Sequence, residues 1–266
     1  MCKFEVEQIL GDFSAKTFPV DPTDTEFIKQ SAGWASLVGN VPETLPYRLY
    51  VPEKAPEDKK ERPVLIFMHG AGERGSENCL QITVALPVLA KTNPELKDFI
   101  IIAPQCPAET QWVYSPWMNV NYSGDEIPES WQLRTVMKIL DSVCDEYGGD
   151  RDRVYVMGLS MGGYATWDLI SRHPNVFAAA MPICGGADPS KAEILKSIPI
   201  HTFHGAEDPT VPVQGTRNVC EAIKAAGGTK LTYTEYEGVG HNSWDLACSA
   251  EGMVKWMLSN RLSDRV

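Results

Sequence analysis

The 266-residue sequence lacks the features that would assign it to a membrane or to nucleic acid. Its apolar runs, such as residues 64–68 and 176–184, fall far short of the roughly 20 residues that a membrane-spanning helix needs. Basic residues are few, because 24 Lys and Arg stand against 35 Asp and Glu, which gives a net charge of −11. Since an acidic surface repels phosphate backbones and anionic lipids, we expect no nucleic-acid partner. The short apolar runs predict that the chain has no membrane span.

The spacing of the cysteines argues against a disulfide framework and against a metal site. The seven cysteines form no Cys-x-x-Cys pair, and there is no His-Glu-x-x-His motif. An odd number of thiols is typical of a reducing compartment, and the N-terminal residues contain no apolar signal-peptide core. The sequence therefore predicts a cytoplasmic protein with no cofactor and no metal. The alternative is a secreted protein or a lipoprotein, with Cys2 near its start, whose signal has been trimmed.

Segments with strand-like and helix-like patterns alternate from about residue 45 onward. The predicted strands cover residues 45–51, 63–68, 99–103, 153–157, 178–183, 198–203 and 230–236. The predicted helices cover residues 131–147, 164–171, 213–226 and 250–260. This alternation predicts an α/β protein of three layers, in which a mainly parallel, twisted sheet has helices on both faces.

The length and the absence of a linker predict a single domain over residues 1–266. Residues 1–44 are expected to form an N-terminal extension packed on that domain. Residues 104–130 form a long irregular segment at the C-terminal end of a predicted strand, where long loops are often functional. We therefore expect this segment to be an active-site loop.

The strongest chemical signal is the segment Gly-Leu-Ser-Met-Gly at residues 158–162, which fits Gly-x-Ser-x-Gly. It follows a predicted strand and precedes a helical pattern, which is the context of a nucleophile elbow. The glycines keep Cβ atoms away from the tight turn, and the helix N-terminus directs backbone N–H groups toward developing negative charge. Ser160 is therefore the predicted nucleophile, and a chance match in a glycine-rich turn is the alternative.

Asp208 and His241 are the predicted acid and base that act with Ser160. Both follow predicted strands, so their loops meet the serine at the C-terminal edge of a parallel sheet. A serine needs a neutral imidazole to take its proton, and a carboxylate fixes the tautomer of that imidazole. Two alternatives for the acid remain open, because Asp188 lies on the loop of an earlier strand and Glu207 is adjacent to Asp208.

Three other histidines are candidates for the base, and each has a structural explanation. His201 lies within a predicted strand, where we expect it to pack in the core. His204 ends that strand and is expected to brace the loop that carries the acid. His173 lies at the end of a predicted helix, where a capping role suffices.

The segment His-Gly-Ala-Gly-Glu-Arg-Gly at residues 69–75 follows another predicted strand. It matches Gly-x-Gly-x-x-Gly, but the next strand ends without the acidic residue that would hold a ribose, which argues against a dinucleotide site. Such a loop can instead direct the N–H of Ala71 toward a substrate oxygen, beside the N–H of Met161. Ala71 and Met161 are the predicted oxyanion hole. Arg74 and Glu73 are expected either to close the loop through a salt bridge or to be exposed charges.

Taken together, these motifs resemble the α/β-hydrolase superfamily over roughly residues 45–260. They are similar in particular to the bacterial carboxylesterase/phospholipase-like or "predicted peptidase" group, near feruloyl-esterase and polyhydroxybutyrate-depolymerase-like enzymes. The segments that carry the resemblance are HGAGERG, GLSMGG, HGAEDPTVPV and GVGHNSW. The resemblance implies Ser160 as nucleophile, His241 as general base, Asp208 as its orienting acid, and Ala71 and Met161 as the oxyanion hole.

Aromatic residues near these motifs predict the walls of a substrate pocket. Trp112 lies in the long loop, and Trp244 lies three residues after His241. Both are predicted to bind an aromatic acyl group or a sugar face, and packing onto the body of the protein is the alternative for each.

The sequence therefore predicts a serine carboxylic-ester hydrolase that cleaves short-chain or aromatic acyl esters through an acyl-enzyme. The expected partner is a small-molecule ester, and homo-oligomerisation stays open. A serine peptidase or thioesterase that uses the same residues is one competing interpretation. A non-catalytic binding protein of the same fold is the other, although such proteins typically lose a member of the triad.

Overall fold

The structure, a computed structural model, describes residues 4–24, 41–53 and 61–265. Its strands are β1 (Ser14–Pro19), β2 (Thr44–Tyr50), β3 (Arg62–Met68), β4 (Ile100–Pro104), β5 (Gly149–Leu159), β6 (Ala179–Ile183), β7 (Ile200–Gly205) and β8 (Leu231–Tyr236). They form one eight-stranded sheet in the order β1-β2-β4-β3-β5-β6-β7-β8. The pairs β1–β2 and β2–β4 are antiparallel, and all the other neighbours are parallel.

Helices cover both faces of the sheet. They are α1 (Glu5–Ile9), α2 (Leu86–Thr92), α3 (Trp131–Tyr147), α4 (Met161–Arg172), α5 (Ala192–Leu195), α6 (Val213–Ala225), α7 (Trp244–Ser249) and α8 (Met253–Leu258). No helix in the described parts of the chain is both long and apolar enough to span a bilayer.

Two separate hydrophobic cores lie on opposite faces of the sheet, as β3 illustrates. Val64 and Ile66 pack in one core with α3, α4 and α6, whereas Leu65 and Phe67 pack in the other with α2, α7 and α8. All four side chains are buried, because successive residues of a strand point to opposite faces and each face is covered. The predicted three-layer α/β fold with a mainly parallel sheet is confirmed.

Helix α3 begins and ends where the sequence predicts. The Ser130 hydroxyl caps its N-terminus by accepting the Leu133 N–H at 3.2 Å. Gly148 ends it in the left-handed conformation, with φ of 71°, which glycine adopts without steric cost.

Strand β5 is longer than predicted, since it begins at Gly149 instead of residue 153. Its register against β3 shifts between Arg62 and Val64, so the strand starts with an irregularity. The polar residues 150–153 carry no apolar alternation, so the pattern could not indicate a strand there.

The N-terminal segment contributes the edge strand β1, which pairs with β2 from Ser14 opposite Leu49 to Pro19 opposite Thr44. Residues 1–3 and 25–40 of the predicted extension lie outside the described residues.

The segment between β4 and α3 crosses the C-terminal edge of the sheet. Near its start, the Trp112 indole N–H donates to the carbonyl of His69, just beyond β3. Farther on, the Asn121 side-chain amide donates to the carbonyl of Ala187, beyond β6. Because β5 lies between β3 and β6 in the sheet, the segment passes over the end of the strand that leads to Ser160.

Candidate active site

Ser160 lies in the sharp turn between β5 and α4, with φ of 53° and ψ of −119°. Positive φ is strained for a residue with a side chain, and such strain is a feature of nucleophile elbows. Close packing around the turn requires glycine. A Cβ on Gly162 would lie 1.9 Å from the carbonyl oxygen of Met68, and a Cβ on Gly158 would lie 2.4 Å from the carbonyl oxygen of Gly162.

The structure brings Ser160, His241 and Asp208 together in one hydrogen-bonded chain. Ser160 Oγ lies 2.9 Å from His241 Nε2, and His241 Nδ1 lies 2.7 Å from Asp208 Oδ2. The Asp208 side chain has no exposed surface, whereas about a fifth (21%) of the His241 side chain is exposed. Because a carboxylate only accepts hydrogen bonds, Nδ1 carries the imidazole proton, and Nε2 is free to accept the serine proton.

Hydrogen bonds hold Asp208 in its ionised form. Its Oδ1 accepts the backbone N–H groups of Thr210 at 2.8 Å and Val211 at 3.0 Å. Burial opposes ionisation, but hydrogen bonds from His204, His241 and these amides outweigh it and lower the pKa of Asp208 far below its usual range. The carboxylate is therefore charged wherever His241 can act as a base.

His69 orients the peptide that carries the N–H of Ala71. Its Nδ1 donates to the carbonyl of Gly70 at 2.5 Å, and its Nε2 accepts the N–H of Cys106 at 2.9 Å. Burial lowers the pKa of His69 to about 4, so the ring is neutral, with one donor and one acceptor that are both used. The Gly70 carbonyl and the Ala71 N–H belong to the same planar peptide, so fixing one fixes the other. The sequence analysis missed this role, and the histidine that opens HGAGERG was the available signal.

Arg74 ties the loop after β3 to the long loop after β4. Its Nε donates to the carbonyl of Ala71 at 2.9 Å, its Nη1 donates to the carbonyl of Thr110 at 3.0 Å, and its guanidinium lies over the ring of Trp117. The expected alternative of a salt bridge with Glu73 is wrong, because Arg74 is committed to these partners. Glu73 Oε2 is instead buried without a hydrogen-bond partner among the described residues, and burial raises the pKa of this carboxyl.

The two predicted oxyanion donors lie on neighbouring strand ends. Ala71 is half-buried and opens a short 3₁₀ turn after β3, and Met161 is the buried first residue of α4. Amides in the first turn of a helix have no partner within the helix, so they are available to an anion.

The tryptophans differ from the prediction. Trp112 has no exposed surface, its N–H is taken by the carbonyl of His69, and its ring packs against the His69 ring at 5.2 Å. The prediction that Trp112 binds substrate is therefore wrong, because the indole is fully used as a support under the loop. Trp244 is half-buried and meets the His241 ring edge-on at 5.4 Å. Trp117 is half-buried beside Arg74, and the sequence analysis did not select it as a pocket residue.

The carboxylate that bonds to His241 Nδ1 is that of Asp208, and the two alternative acids have other environments. Asp188 accepts the backbone N–H groups of Gly124 and Ser190, at 2.8 and 2.9 Å, and so holds the loop after β6. Glu207 is exposed to solvent.

The alternative bases have partners of their own. His201 stacks on Phe203 with a centroid distance of 4.2 Å, and its Nε2 lies 3.3 Å from the hydroxyl of Thr234. His173 ends α4 and lies 2.6 Å from a carboxylate oxygen of Glu129.

Within residues 4–24, 41–53 and 61–265, one group of side chains offers donor atoms close enough together for a metal. Atoms of Cys184, Asp208 and His241 lie within 4.8 Å of one another. Burial raises the pKa of the Cys184 thiol to about 12, however, and the thiolate is the form that binds metals. Asp208 and His241 also bond to each other, so a hydrogen-bonded pair beside a neutral thiol accounts for the group better.

Comparison with known proteins gives a family match over most of the chain. Residues 52–249 match the family model described as phospholipase/carboxylesterase. Over 152 residues the chain is 34% identical to a bifunctional acetylxylan esterase/xylanase of Neocallimastix patriciarum, a match that covers 57% of this chain and 20% of that protein. It is 28% identical over 152 residues to feruloyl esterase B of Thermothelomyces thermophilus, with 56% and 47% covered. The matches thus span less than half the length of these relatives.

Solved structures show the same architecture. The crystal structure of a thermostable esterase has a TM-score of 0.78 at 36% sequence identity and covers 96% of this chain and 64% of its own. A ferulic acid esterase has a TM-score of 0.60 at 16% identity, with 92% and 97% covered. At that identity the second likeness shows the fold alone.

Proposed function

Since the chain belongs to the phospholipase/carboxylesterase family of α/β-hydrolases, we propose that it is a serine carboxylic-ester hydrolase acting through Ser160, His241 and Asp208. The observation that carries the proposal is the continuous hydrogen-bonded chain from Ser160 Oγ through the imidazole to the buried carboxylate, with distances of 2.9 and 2.7 Å. These are the contacts that activation of a serine hydroxyl requires.

In the proposed reaction, Ser160 Oγ bonds to the ester carbonyl carbon while its proton moves to His241 Nε2. The protonated imidazole then gives that proton to the leaving alcohol, and the bond between carbonyl carbon and alkoxy oxygen breaks to leave an acyl-enzyme. A water molecule repeats the attack, with His241 as base, and releases the acid and the free serine. Asp208 stabilises the imidazolium in both halves.

The tetrahedral intermediates carry a negative oxygen, for which we propose the N–H groups of Ala71 and Met161 as donors. One such donor contributes about 2.7–4 kcal/mol to the stabilisation of a transition state. The donors must already point at the oxygen before it becomes charged. His69 and Arg74, which hold the carbonyls of Gly70 and Ala71, support that role.

For the substrate, we propose small esters with short-chain or aromatic acyl groups. Two relatives are named as an acetylxylan esterase and a feruloyl esterase, and acetyl and feruloyl groups belong to these two acyl classes. Trp244 offers aromatic surface beside His241, and Trp117 offers it beside Arg74, which bonds to the carbonyl of Ala71.

Hydrolysis of p-nitrophenyl esters of increasing acyl length, and of methyl ferulate, tests the proposal. The wild type should cleave the short esters, and Ser160→Ala should lose nearly all turnover while its melting temperature is maintained. Ser171→Ala is the matched control, because this serine lies on α4, the helix that Ser160 precedes, but its hydroxyl bonds to the carbonyl of Trp167. Wild-type turnover by Ser160→Ala would refute the proposed nucleophile, and an inactive wild type would refute the esterase.

A further inference from the structure

A second histidine, which unlike His241 is fully buried, contacts the carboxylate of the proposed acid. His204, near the end of β7, has no exposed surface, and its Nε2 lies 3.1 Å from Asp208 Oδ2. This is the same oxygen that lies 2.7 Å from His241 Nδ1. Two imidazoles therefore share one carboxylate oxygen.

The surroundings of His204 determine where its proton lies. Nε2 is also 3.1 Å from the carbonyl of Val211, so both atoms that it faces are acceptors and it must be a donor. Nδ1 lies 2.7 Å from the hydroxyl of Thr216, which is itself 3.1 Å from the carbonyl of Gly185. If that hydroxyl donates to Gly185, His204 is an imidazolium, and if it donates to Nδ1, His204 is neutral. In both forms the Nε2 proton points at Asp208.

We infer that His204 is a positioning residue for the proposed triad, which fixes the Asp208 carboxylate and limits how strongly it stabilises protonated His241. The inference rests on the proposed function, since it concerns the same Ser160 chemistry. Its physical basis is competition, because a hydrogen bond donated to Oδ2 by His204 withdraws negative charge from the oxygen that serves His241.

Two groups that face Asp208 from α4 and from the end of β6 stay neutral. Burial raises the pKa of Tyr164 and of Cys184, and the charge of Asp208 raises both further. Neither therefore changes charge in the pH range where a histidine titrates.

The charged groups on the outer side of His204 are also constant. Glu235 on β8 forms an ion pair with Arg217 of α6, and this pairing lowers the pKa of Glu235 to about 2. These neighbours of Asp208 thus keep a constant charge, so a moved pH profile reflects the hydrogen bonds to the carboxylate.

His204→Phe tests the inference because it removes the donor and keeps a planar ring of similar size. Asp208 then has one imidazole instead of two, so its charge stabilises the protonated form of His241 more strongly. A base must be neutral to act, so the acid limb of the pH profile of kcat/KM should move up by about half a pH unit or more. We expect kcat to fall about 10- to 100-fold, as for a lost hydrogen bond to a charged group, and KM to change less than about twofold.

The controls separate this effect from damage to β7. His201→Phe removes another imidazole from the same strand and should keep the wild-type pH profile. Thr216→Val should move the acid limb in the same direction as His204→Phe but less, and Thr216→Ser should restore it, which keeps the inference testable if His204→Phe does not fold. The inference is overturned if His204→Phe keeps the acid limb of the wild type. If His204→Phe does not fold, the same result in Thr216→Val overturns it. A limb moved to lower pH also overturns it, because it indicates that Asp208 has simply left His241.

Labelling of Ser160 by a fluorophosphonate across the same pH range separates the two proposals. This reaction needs the serine and its base, but not the correct ester. If the wild type is labelled and cleaves no ester, the proposed esterase fails, and the labelling profiles of the variants still decide the role of His204. If the wild type is not labelled, both proposals fail.

Discussion

Replacing Gly162 with alanine perturbs the proposed site through one methyl group. The added Cβ would lie 1.9 Å from the carbonyl oxygen of Met68, where ordinary contact begins near 3.4 Å. The first turn of α4 and the end of β3 would therefore have to separate by about 1.5 Å. This is the boundary between Met161, which lies at the start of α4, and the loop that carries Ala71.

Both stability and turnover should fall. Overpacking of this kind costs about 1–3 kcal/mol, which corresponds to a decrease in melting temperature of about 2–12 °C in a domain of this size. The shift also moves one proposed oxyanion donor relative to the other. Loss of a donor costs about 2.7–4 kcal/mol in the transition state, so kcat should fall about 100- to 1000-fold.

Thermal unfolding and ester hydrolysis of Gly162→Ala measure the two effects. Gly72→Ala is the matched control for stability, because a Cβ there meets no atom within 4 Å. If Gly162→Ala retains both the melting temperature and the kcat of the wild type, the tight contact between α4 and β3 does not position the donors, and the reasoning is refuted.

Two further predictions concern the loop after β3 and the buried histidines. Arg74→Gln should lower kcat about tenfold with a smaller change in KM, because the carbonyls of Ala71 and Thr110 lose charged donors. Arg74→Lys should not restore kcat, because lysine lacks the planar guanidinium that reaches both carbonyls. Wild-type kinetics in Arg74→Gln would contradict this prediction. Burial lowers the pKa of His69 and of His201 to about 4, so the unfolded chain binds more protons than the folded one between about pH 4 and pH 6.5. The free energy of unfolding from urea titrations should therefore rise with pH across that window, less steeply in His201→Phe, and a flat profile would count against the assigned neutral rings.

The fold was predictable from the sequence wherever local chemistry and tertiary packing agree. Helix α3 was predicted to the residue because its apolar stripe is regular and glycine follows its last residue, and in the structure Ser130 caps its start. The parallel strands appear as short apolar runs because both of their faces are covered. The predicted resemblance to carboxylesterases of the α/β-hydrolase superfamily is confirmed by the family match.

What was missed depends on contacts between distant segments. Helix α2 was not predicted, because its seven residues are too few to show a clear helical period. Nothing in the sequence around Trp112 indicates that its N–H bonds to a carbonyl 43 residues away. The bond from the Cys106 N–H to His69 joins residues 37 positions apart, and it likewise becomes visible only when the loops after β3 and β4 meet.

The segment between β4 and α3 has an anchored start and an open middle. Trp112 is fixed under the loop after β3, whereas Met118, a few residues on, has 66% of its surface exposed. Asn121 then fixes the chain again at Ala187. The side chains of residues 118–120 are exposed and can therefore be exchanged with little effect on the core, while the anchors keep the backbone in place. If the chain hydrolyses esters at Ser160 as proposed, a combinatorial library in this short span is expected to change substrate preference and leave folding intact.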